Sequence, residues 1–341
     1  MKVVVFTGGT GGTKLVQGLQ RVIAAEELTV VVNTGDDIEC WGLHVSPDID
    51  SVLYGLSGLL STDRGWGVED DSFRCLERMK QLGEPGWFSL GDLDLATHLT
   101  RTSLLRSGRS LSETTAELAR RMGIGSRVFP MSDDTVSTML DTDRGVLSFQ
   151  EYFVRERHSV EVHAVKFVGA GESRPTPGLL EAIAAADLIV FAPSNPVTSI
   201  GPILAVPRIR EALRHTQAPV AAVSPIIGGE AVSGPAAALM RMQGWPSSVA
   251  GIAKAYEDFL DMLVVDSADA KAADELSNEE LRVVCTNTLM RSEDDKVNLA
   301  RTILDASVRH QHRNDVFPSP SGANQDAQIP GSQKKPAGDD N

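Results

Sequence analysis

The amino-terminal stretch constrains the fold of this chain more than any other. The apolar, β-branched run Val3–Phe6 leads into the glycine-rich segment Thr7–Lys14, and residues 15–23 then place their apolar side chains on one helical face. This order predicts a buried strand, a glycine loop and a helix. Glycines permit positive φ angles and leave no Cβ in a ligand's way, and a helix N-terminus offers unpaired N–H groups to an anion. We interpret the segment as a phosphate-binding loop, with a ligand-free tight turn as the alternative. The candidate contacts are Gly9, Thr10, Gly11, Gly12 and Lys14.

The glycine spacing differs from two common nucleotide-binding motifs. Thr13 stands where G-x-x-x-x-G-K-[ST] needs glycine, and Lys14 stands where G-x-G-x-x-G would have its third glycine. The loop therefore predicts a phosphate contact without assigning the nucleotide.

The composition is typical of a soluble globular enzyme. The 341 residues are 42% hydrophobic and carry a formal net charge of −14. This charge disfavours a nucleic-acid or anionic-membrane surface, and no apolar run has the length of a membrane span. No signal peptide is visible, and the 3 cysteines are scattered, which suggests no disulfide framework or metal cluster. We expect a cytoplasmic protein with neither nucleic acid nor membrane as a partner.

Polar residues follow the second predicted strand, Leu28–Val32. Asn33, Asp36 and Asp37 stand at the carboxyl end of this strand, where an open parallel sheet binds its ligands. One acid here would suit the ribose of a dinucleotide. Two adjacent acids suit a cation or sugar hydroxyls equally well, so these alternatives stay open.

The segment Ser46–Asp50 predicts a helix start. Ser46 is suited to the N-cap, Pro47 to the first helical position, and Asp48 to the N-terminal dipole. Capping accounts for Ser46 and Asp48 without chemistry. Asp50 lies deeper in the helix, where a functional and a purely structural role are both open. A carboxylate near a helix start adds only about 0.3–1 kcal/mol, so Asp50→Asn is expected to leave the fold intact.

The remaining pattern predicts one domain with an insertion. Residues 62–125 contain three helical stretches without a strand, and we interpret them as a helical cover inserted into an α/β sheet domain. Within the insertion, Asp94 and His98 are one helical turn apart, and His98 is either a hydrogen-bonded structural residue or a catalyst. Residues 1–313 form the predicted domain. Residues 314–341 have almost no apolar content and are predicted to be a disordered tail.

A second polar loop follows the buried strand at residues 188–192. Hydroxyl and amide side chains lie between this strand and the next helix start, at the edge of the sheet that binds ligands. This arrangement favours a second ligand contact, with a proline-stiffened turn as the alternative. The candidate residues are Ser194, Asn195, Thr198 and Ser199.

Several stretches in order resemble the family of 2-phospho-L-lactate transferases, which act in the biosynthesis of the deazaflavin coenzyme F420. Together they cover the chain from Met1 to about Arg309. The matching segments are 8–15, 32–37, 46–54, 90–98, 131–134, 193–196 and 223–228.

The resemblance implies a Rossmann-like, mostly parallel sheet with helices on both faces and an inserted helical subdomain, usually in a homodimer. It also implies the transfer of a phosphorylated three-carbon acid from a guanosine diphosphate adduct to the hydroxyl of a deazariboflavin (FO), with release of GMP and help from Mg²⁺. Asp50 matches the family position that touches FO. Ser89 stands where family members often have a basic residue facing FO. Asp50 and Asp37 (or Asp36) are the expected catalytic carboxylates and Mg²⁺ ligands.

Two other functions compete with this interpretation. One is a nucleotide-sugar-binding regulator of related fold without turnover, whose second strand would be followed by Asp-Asp-Gly-Gly-Ser. Here Asp36-Asp37 is followed by Ile38-Glu39-Cys40, which disfavours it. The other is a nicotinamide-dependent oxidoreductase that uses Asp36 for the ribose, and the missing third glycine counts against it.

Overall fold

The computed structural model describes residues 1–232 and 234–316, with side chains up to residue 308. The strands, in chain order, are β1 (Val3–Thr7), β2 (Leu28–Val32), β3 (Ile38–Cys40), β4 (Leu43–Val45), β5 (Arg127–Pro130), β6 (Ser137–Thr142), β7 (Gly145–Ser148), β8 (Val162–Val168), β9 (Leu188–Phe191), β10 (Val220–Val223), β11 (Ile226–Ile227), β12 (Glu230–Ala231), β13 (Met262–Asp266) and β14 (Arg282–Thr286). The α-helices are α1 (Gly9–Gln20), α2 (Pro47–Ser57), α3 (Arg74–Gln81), α4 (Asp94–Arg106), α5 (Leu111–Arg121), α6 (Leu179–Ala184), α7 (Gly201–Ala205), α8 (Ile209–His215), α9 (Ala236–Met242), α10 (Val249–Ala255), α11 (Ala270–Leu276) and α12 (Glu293–Val316).

A parallel sheet organises this described part of the chain. Its 7 strands lie in the order β14-β13-β10-β9-β1-β2-β5, and every adjacent pair is parallel. The chain moves outward from β1 to one side and returns through β9 to the other. The strand order therefore reverses between β1 and β9, and ligands bind at such a point in open α/β sheets.

Both faces of this sheet are covered, which confirms the predicted α/β class. Along β1, Val4 and Phe6 lie in one hydrophobic core while Val3 and Val5 lie in the other. Alternate side chains of a strand point to opposite faces, so an unbroken apolar run is what a strand buried on both faces requires.

The helical insertion is confirmed as a feature of the fold. Helices α3, α4 and α5 all lie between residues 62 and 125, and the predicted capping box at Ser110 and Glu113 is present. Leu111 and Leu118 of α5 share a hydrophobic core with Leu15 of α1 and Leu53 of α2. The insertion thus packs directly on the sheet domain. The division at residue 313 stays a prediction.

One expectation needs correction. Helix α1 begins at Gly9, so most of the predicted glycine loop is the first turn of the helix. Strands β6, β7 and β8 form a separate antiparallel sheet. Helix α12 runs to Val316, a few residues into the segment predicted as the tail. The rest of the predicted tail lies outside the described residues.

Among the described helices, none is both long enough and apolar enough to cross a membrane.

Candidate active site

A cavity of about 1450 Å³ opens at the carboxyl ends of the parallel strands. Sites for one drug-sized ligand usually measure about 300–1,000 Å³, so this space admits two substrates together. Its wall contains most of the predicted site residues, while Gly12, Asn33 and Asp37 lie behind it. The predicted residues in the wall are Gly9, Thr10, Gly11, Lys14, Asp50, Ser89, Ser194, Asn195, Thr198 and Ser199.

The loops after β1 and β9 meet directly. The Ser194 hydroxyl donates to the Gly8 carbonyl at 2.8 Å and accepts from the Gly8 N–H at 3.2 Å. The topology explains this contact, because β1 and β9 are neighbours in the sheet. The two predicted polar loops therefore form one surface. Ser194 therefore links the two loops through its hydrogen bonds to Gly8 and also lines the cavity.

The N-terminus of α1 faces the cavity. The N–H groups of the first helical turn have no acceptor within a helix. The N–H of Gly9 is already taken, since it donates to Asp48 Oδ1 at 2.7 Å. The first-turn residues Thr10 and Gly11 line the cavity with their N–H groups at the positive end of the helix dipole. These two groups are the anion donors that the fold provides.

The glycines serve packing more than ligand access. Only Gly9 in this segment has a positive φ, of 71°. A Cβ on Gly12 would lie 1.9 Å from Thr7 Oγ1, and one on Gly8 would lie 2.8 Å from Asp48 Oδ2. The expectation that all the glycines clear space for a ligand was therefore too broad, because protein atoms fill the space beside Gly8 and Gly12.

The predicted positions of Ser46 and Asp48 are confirmed, since Ser46 is the N-cap residue of α2 and Asp48 lies in its first turn, but the Ser46 side chain makes no capping hydrogen bond. Ser46 precedes α2, but its hydroxyl donates to Asp37 Oδ2 at 2.7 Å. Asp48 accepts from Gly9 N–H, and its other oxygen accepts from Asn33 Nδ2 at 3.0 Å. Tertiary partners have replaced the local cap, because the loops after β1 and β2 approach the start of α2.

We call Asp36, Asp37 and Asp48 the acidic edge. Their negative charges are poorly compensated by neighbouring positive charge. Burial, and then the charge of Asp48, raise the pKa of Asp36 well above its ordinary value. Burial raises the pKa of Asp37 and brings that of Asp48 to about 6. One oxygen of Asp36 and one of Asp37 are buried without a hydrogen-bond partner among the described residues. Asp36 and Asp48 line the cavity.

Asp37 turns away from the cavity. Its Oδ2 accepts from Ser46 and lies 3.0 Å from His44 Nε2. Asn33 is equally engaged, since its Oδ1 accepts from Gly35 N–H at 2.8 Å while its Nδ2 bonds Asp48. Both residues support the wall rather than form it.

Asp50 belongs to a second group, which we call the charged seam: Asp50, Tyr54, Asp94, His98 and Arg101. Arg101 is fully buried and donates to both oxygens of Asp50, from Nη1 at 3.1 Å and from Nη2. Asp50 and Tyr54 are one turn apart on α2, while Asp94, His98 and Arg101 share a face of α4. The seam therefore joins the helical insertion to the sheet domain.

His98 takes a defined tautomer in the charged seam. Arg101 Nη1 lies 3.3 Å from His98 Nδ1, and an arginine nitrogen can only donate, so Nδ1 accepts and the ring proton is on Nε2. Nε2 lies 3.2 Å from Asp94 Oδ1, and the Tyr54 hydroxyl donates to the same oxygen at 2.6 Å. Burial opposes ionisation of Asp94, but the His98 and Tyr54 contacts outweigh it and lower the pKa. His98 and Asp94 face one another as predicted, and both line the cavity.

The remaining predicted contacts lie in the cavity wall, and their side chains differ in how far other protein groups already engage them. Asn195 Oδ1 accepts from the N–H groups of Val197 and Thr198, so this amide also shapes the turn. Thr198 Oγ1 is buried without a partner among the described residues, and Ser199 is buried beside it. Lys14 is exposed. Their roles, like that of Ser89, stay predictions.

Sequence reasoning missed Arg101 and the tertiary role of Asp48. Arg101 lies three residues after His98 and seven after Asp94, so a polar stripe on α4 was a readable signal. No local signal marks Asp48, because its partners Gly9 and Asn33 come from two other loops.

Comparison with known proteins identifies the family of this chain. The profile of the family described as 2-phospho-L-lactate transferase CofD matches residues 3–304. A 2-phospho-L-lactate transferase of Methanococcoides burtonii is 44% identical over 301 residues, which cover 88% of this chain and 98% of that relative. A phosphoenolpyruvate transferase of Streptomyces griseus subsp. griseus is 43% identical, covering 89% and 98%. These transferase names favour the transferase over the regulator and the oxidoreductase.

The fold also has a solved counterpart. A protein of the UPF0052 family from Bacillus halodurans superimposes with a TM-score of 0.59 at 21% identity, covering 89% of this chain and 100% of that one. At that identity the likeness shows the fold alone. The family profile and the curated relatives go further: the chain belongs to the 2-phospho-L-lactate transferase family.

Proposed function

We propose that this protein transfers a phosphorylated three-carbon acid, 2-phospho-L-lactate or phosphoenolpyruvate, from its guanosine diphosphate adduct to the hydroxyl of 7,8-didemethyl-8-hydroxy-5-deazariboflavin (FO). The products are GMP and coenzyme F420-0 or its dehydro form. The observation that carries the proposal is a single cavity with room for two substrates, into which both the α1 N-terminus and the carboxylates of Asp36, Asp48 and Asp50 face.

The transfer makes and breaks one bond at phosphorus. The FO hydroxyl oxygen bonds to the phosphorus that carries the three-carbon acid, and the bond from that phosphorus to the bridging oxygen breaks, so that GMP leaves. Such reactions depend mainly on positioning and charge neutralisation. The N–H groups of Thr10 and Gly11 would hold the diphosphate, and Asp50, fixed by Arg101, would orient the hydroxyl.

The hydroxyl proton needs an acceptor near the reacting oxygen. A carboxylate whose pKa lies close to the working pH suits this role. Burial gives Asp48 a pKa of about 6, and Asp48 lines the cavity. We assign the proton to Asp48, from which it passes to solvent after GMP leaves.

The acidic edge also suits Mg²⁺. Asp36 has a buried oxygen without a partner among the described residues, and burial and the Asp48 charge raise its pKa, so a cation there would relieve the repulsion. No group of three or more described His, Cys, Asp or Glu side chains could hold a metal ion. Mg²⁺ commonly takes one or two carboxylates and completes its shell with water and substrate phosphates.

Asp36 and Asp50 are the ligands we favour, because both line the cavity and Asp37 does not. When bound at these residues, Mg²⁺ would offset the negative charge of the diphosphate. Asp50 would then be a ligand, and Arg101 would hold it in place through hydrogen bonds. Many metal ligands are oriented by such a partner.

Two further proposals concern the protein's setting. We propose that the protein is cytoplasmic, which its scattered cysteines favour, and that it is a homodimer, which the sequence resemblance implies. Light scattering on the purified protein at micromolar concentration gives its mass directly, and a monomer mass would contradict the dimer.

The transferase proposal has a direct test. The protein is incubated with FO, Mg²⁺ and, in separate reactions, the guanosine diphosphate adducts of phospholactate, phosphoenolpyruvate and phosphoglycerate, and the products are weighed by mass spectrometry. We expect GMP and an FO phosphodiester from the phospholactyl or enolpyruvyl adduct. The absence of any phosphodiester with all three adducts would contradict the proposal.

A further inference from the structure

A small loop presents a tryptophan to the cavity. Trp66 is 40% exposed and lines the cavity wall, although a large aromatic side chain usually gains from burial. It lies between β-bridge partners Leu60 and Val68, directly after α2. We call residues 60–68 the Trp66 loop.

The Trp66 loop is held in shape without a ligand. Ser61 N–H donates to the Gly67 carbonyl at 3.0 Å, and Gly65 N–H donates to the Ser61 carbonyl at 2.9 Å. Gly65 and Gly67, on either side of the tryptophan, have positive φ angles of 73° and 70°. Only glycine adopts this backbone freely, so the sequence around Trp66 is suited to projecting one ring outward.

Two side chains contact the ring of Trp66. The Arg64 guanidinium lies over Trp66, 5.7 Å from the ring centroid, and Phe73 meets the ring at 61° with centroids 6.3 Å apart. Arg64 also donates to the Val68 carbonyl, which closes the loop behind it. The exposed part of Trp66 is therefore the surface that Arg64 and Phe73 leave uncovered, and it faces the cavity.

The position of the loop identifies the substrate that it would meet. The Trp66 loop follows α2, the helix that carries Asp50, and both Asp50 and Trp66 line the same cavity. A planar ring joined to its reactive hydroxyl through a flexible polyol chain would place the ring on Trp66 and the hydroxyl near Asp50. The N–H groups proposed to hold the diphosphate, by contrast, lie in the first turn of α1, directly after β1.

We propose that Trp66 is the stacking surface for the tricyclic ring of the deazaflavin acceptor and sets the preference for a planar aromatic alcohol. This inference rests on the proposed function. It assigns a binding role to Trp66 that is separate from the carboxylate chemistry.

The test compares Trp66→Leu with Trp87→Phe. Trp87 also has an arginine over its ring, at 5.8 Å, but does not line the cavity, so it is a matched control. Binding of FO and of GDP is measured by titration calorimetry, along with the absorption band of bound FO and the circular dichroism of each variant. Trp66→Phe serves as the conservative variant.

We expect Trp66→Leu to weaken FO binding about 10- to 100-fold, the usual loss when an aromatic ring no longer stacks on a base. The absorption shift of bound FO should disappear, GDP binding should change less than about twofold, and Trp66→Phe should recover most of the affinity. Trp87→Phe should behave as the wild type.

Two results would overturn the inference and leave the proposed function standing: FO binding by folded Trp66→Leu equal to that of the wild type, or a loss confined to GDP. Wild-type protein that binds no FO would instead contradict the proposed acceptor, and the inference with it.

Discussion

The acidic edge and the charged seam contain similar carboxylates but differ in how their charges are compensated. In the charged seam, Arg101 bonds both oxygens of Asp50, and the Tyr54 hydroxyl bonds Asp94. In the acidic edge, no lysine or arginine of the described residues forms an ion pair with Asp36 or Asp48, and burial raises the pKa of both.

The difference separates a structural use of buried charge from a functional one. A buried ion pair with its hydrogen bonds satisfied can stand without a ligand. Buried carboxylates with raised pKa values and an unpartnered oxygen are costly until a proton or a cation arrives, and such groups concentrate at functional sites. We therefore locate the uncompensated charge that calls for a cation at Asp36 of the acidic edge, while Asp50, held by Arg101 in the charged seam, is the second proposed ligand.

The largest effect is expected when the charged seam loses one partner. Asp50→Asn should lower the free energy of unfolding by about 3–5 kcal/mol, because the fully buried Arg101 keeps its charge without the carboxylate. This replaces the expectation from helix capping that the fold would be unaffected. Urea denaturation followed by circular dichroism measures the change.

The double variant Asp50→Asn/Arg101→Met is the control. It should regain much of the stability, since neither charge is then left unpaired, while transfer to FO stays lost. A double variant as unstable as the sum of the two single variants would show that the pair is not coupled.

Removing a carboxylate from the acidic edge should stabilise the protein, in contrast to Asp50→Asn, and the gain in the free energy of unfolding should depend on pH. The folded pKa of Asp48 is about 6, above the ordinary value of about 3.9. Between these values the folded state holds more protons than the unfolded state, so this group's contribution to the free energy of unfolding falls as pH rises to about 6 and is flat above. Relative to the wild type, Asp48→Asn should gain about 2 kcal/mol between pH 4 and pH 7.

Urea titrations at several pH values in EDTA measure this difference. The gain should vanish when Mg²⁺ is bound. A difference between the two proteins that does not change with pH would show that Asp48 is ionised in the folded protein throughout.

Mg²⁺ itself should stabilise the wild type through the acidic edge. At a concentration about 100 times its dissociation constant, a ligand that binds only the folded state adds about 2.7 kcal/mol. Thermal melts in EDTA and in Mg²⁺ should therefore differ for the wild type and coincide for Asp36→Asn. Equal stabilisation of Asp36→Asn would remove Asp36 from the ligand set.

The smallest effects concern Gly9 and Gly12 in the first turn of α1. Gly12→Ala should cost about 1–3 kcal/mol, because its Cβ would meet Thr7 Oγ1. Gly9→Ala should cost about 1–2 kcal/mol through its positive φ alone, since nothing lies within 4 Å of the added atom. Chemical denaturation of both variants should give this order, and a harmless Gly12→Ala would refute the packing role.

The sequence predicts those structural elements whose signal lies within a short segment of the chain. The strand Val3–Thr7 and the helix after it could be predicted because their side-chain periodicity is contained in the segment itself. Periodicity could not separate Gly9–Gly12 from the helix, since glycines contribute no apolar face. The insertion was readable from its run of helices, while strands β6 and β7 carried too weak an alternation.

The site was predictable where the topology alone brings residues together. Parallel strands place the residues after β1, β2 and β9 at one edge, and the cavity there contains Gly9, Asp36 and Ser194. Which carboxylate meets which partner depends on three-dimensional contacts. Asp37 precedes a hairpin that turns it toward His44, and the partner of Asp50 lies 51 residues away on another helix.

A crystal structure of the protein with GDP and Mn²⁺ in place of Mg²⁺ tests the central claim most directly, because Mn²⁺ can be located by its anomalous scattering. The account predicts the diphosphate within hydrogen-bond distance of the N–H groups of Thr10 and Gly11, with the ion between the diphosphate and Asp36. A diphosphate bound away from the first turn of α1, or an ion that leaves Asp36 untouched, would contradict it.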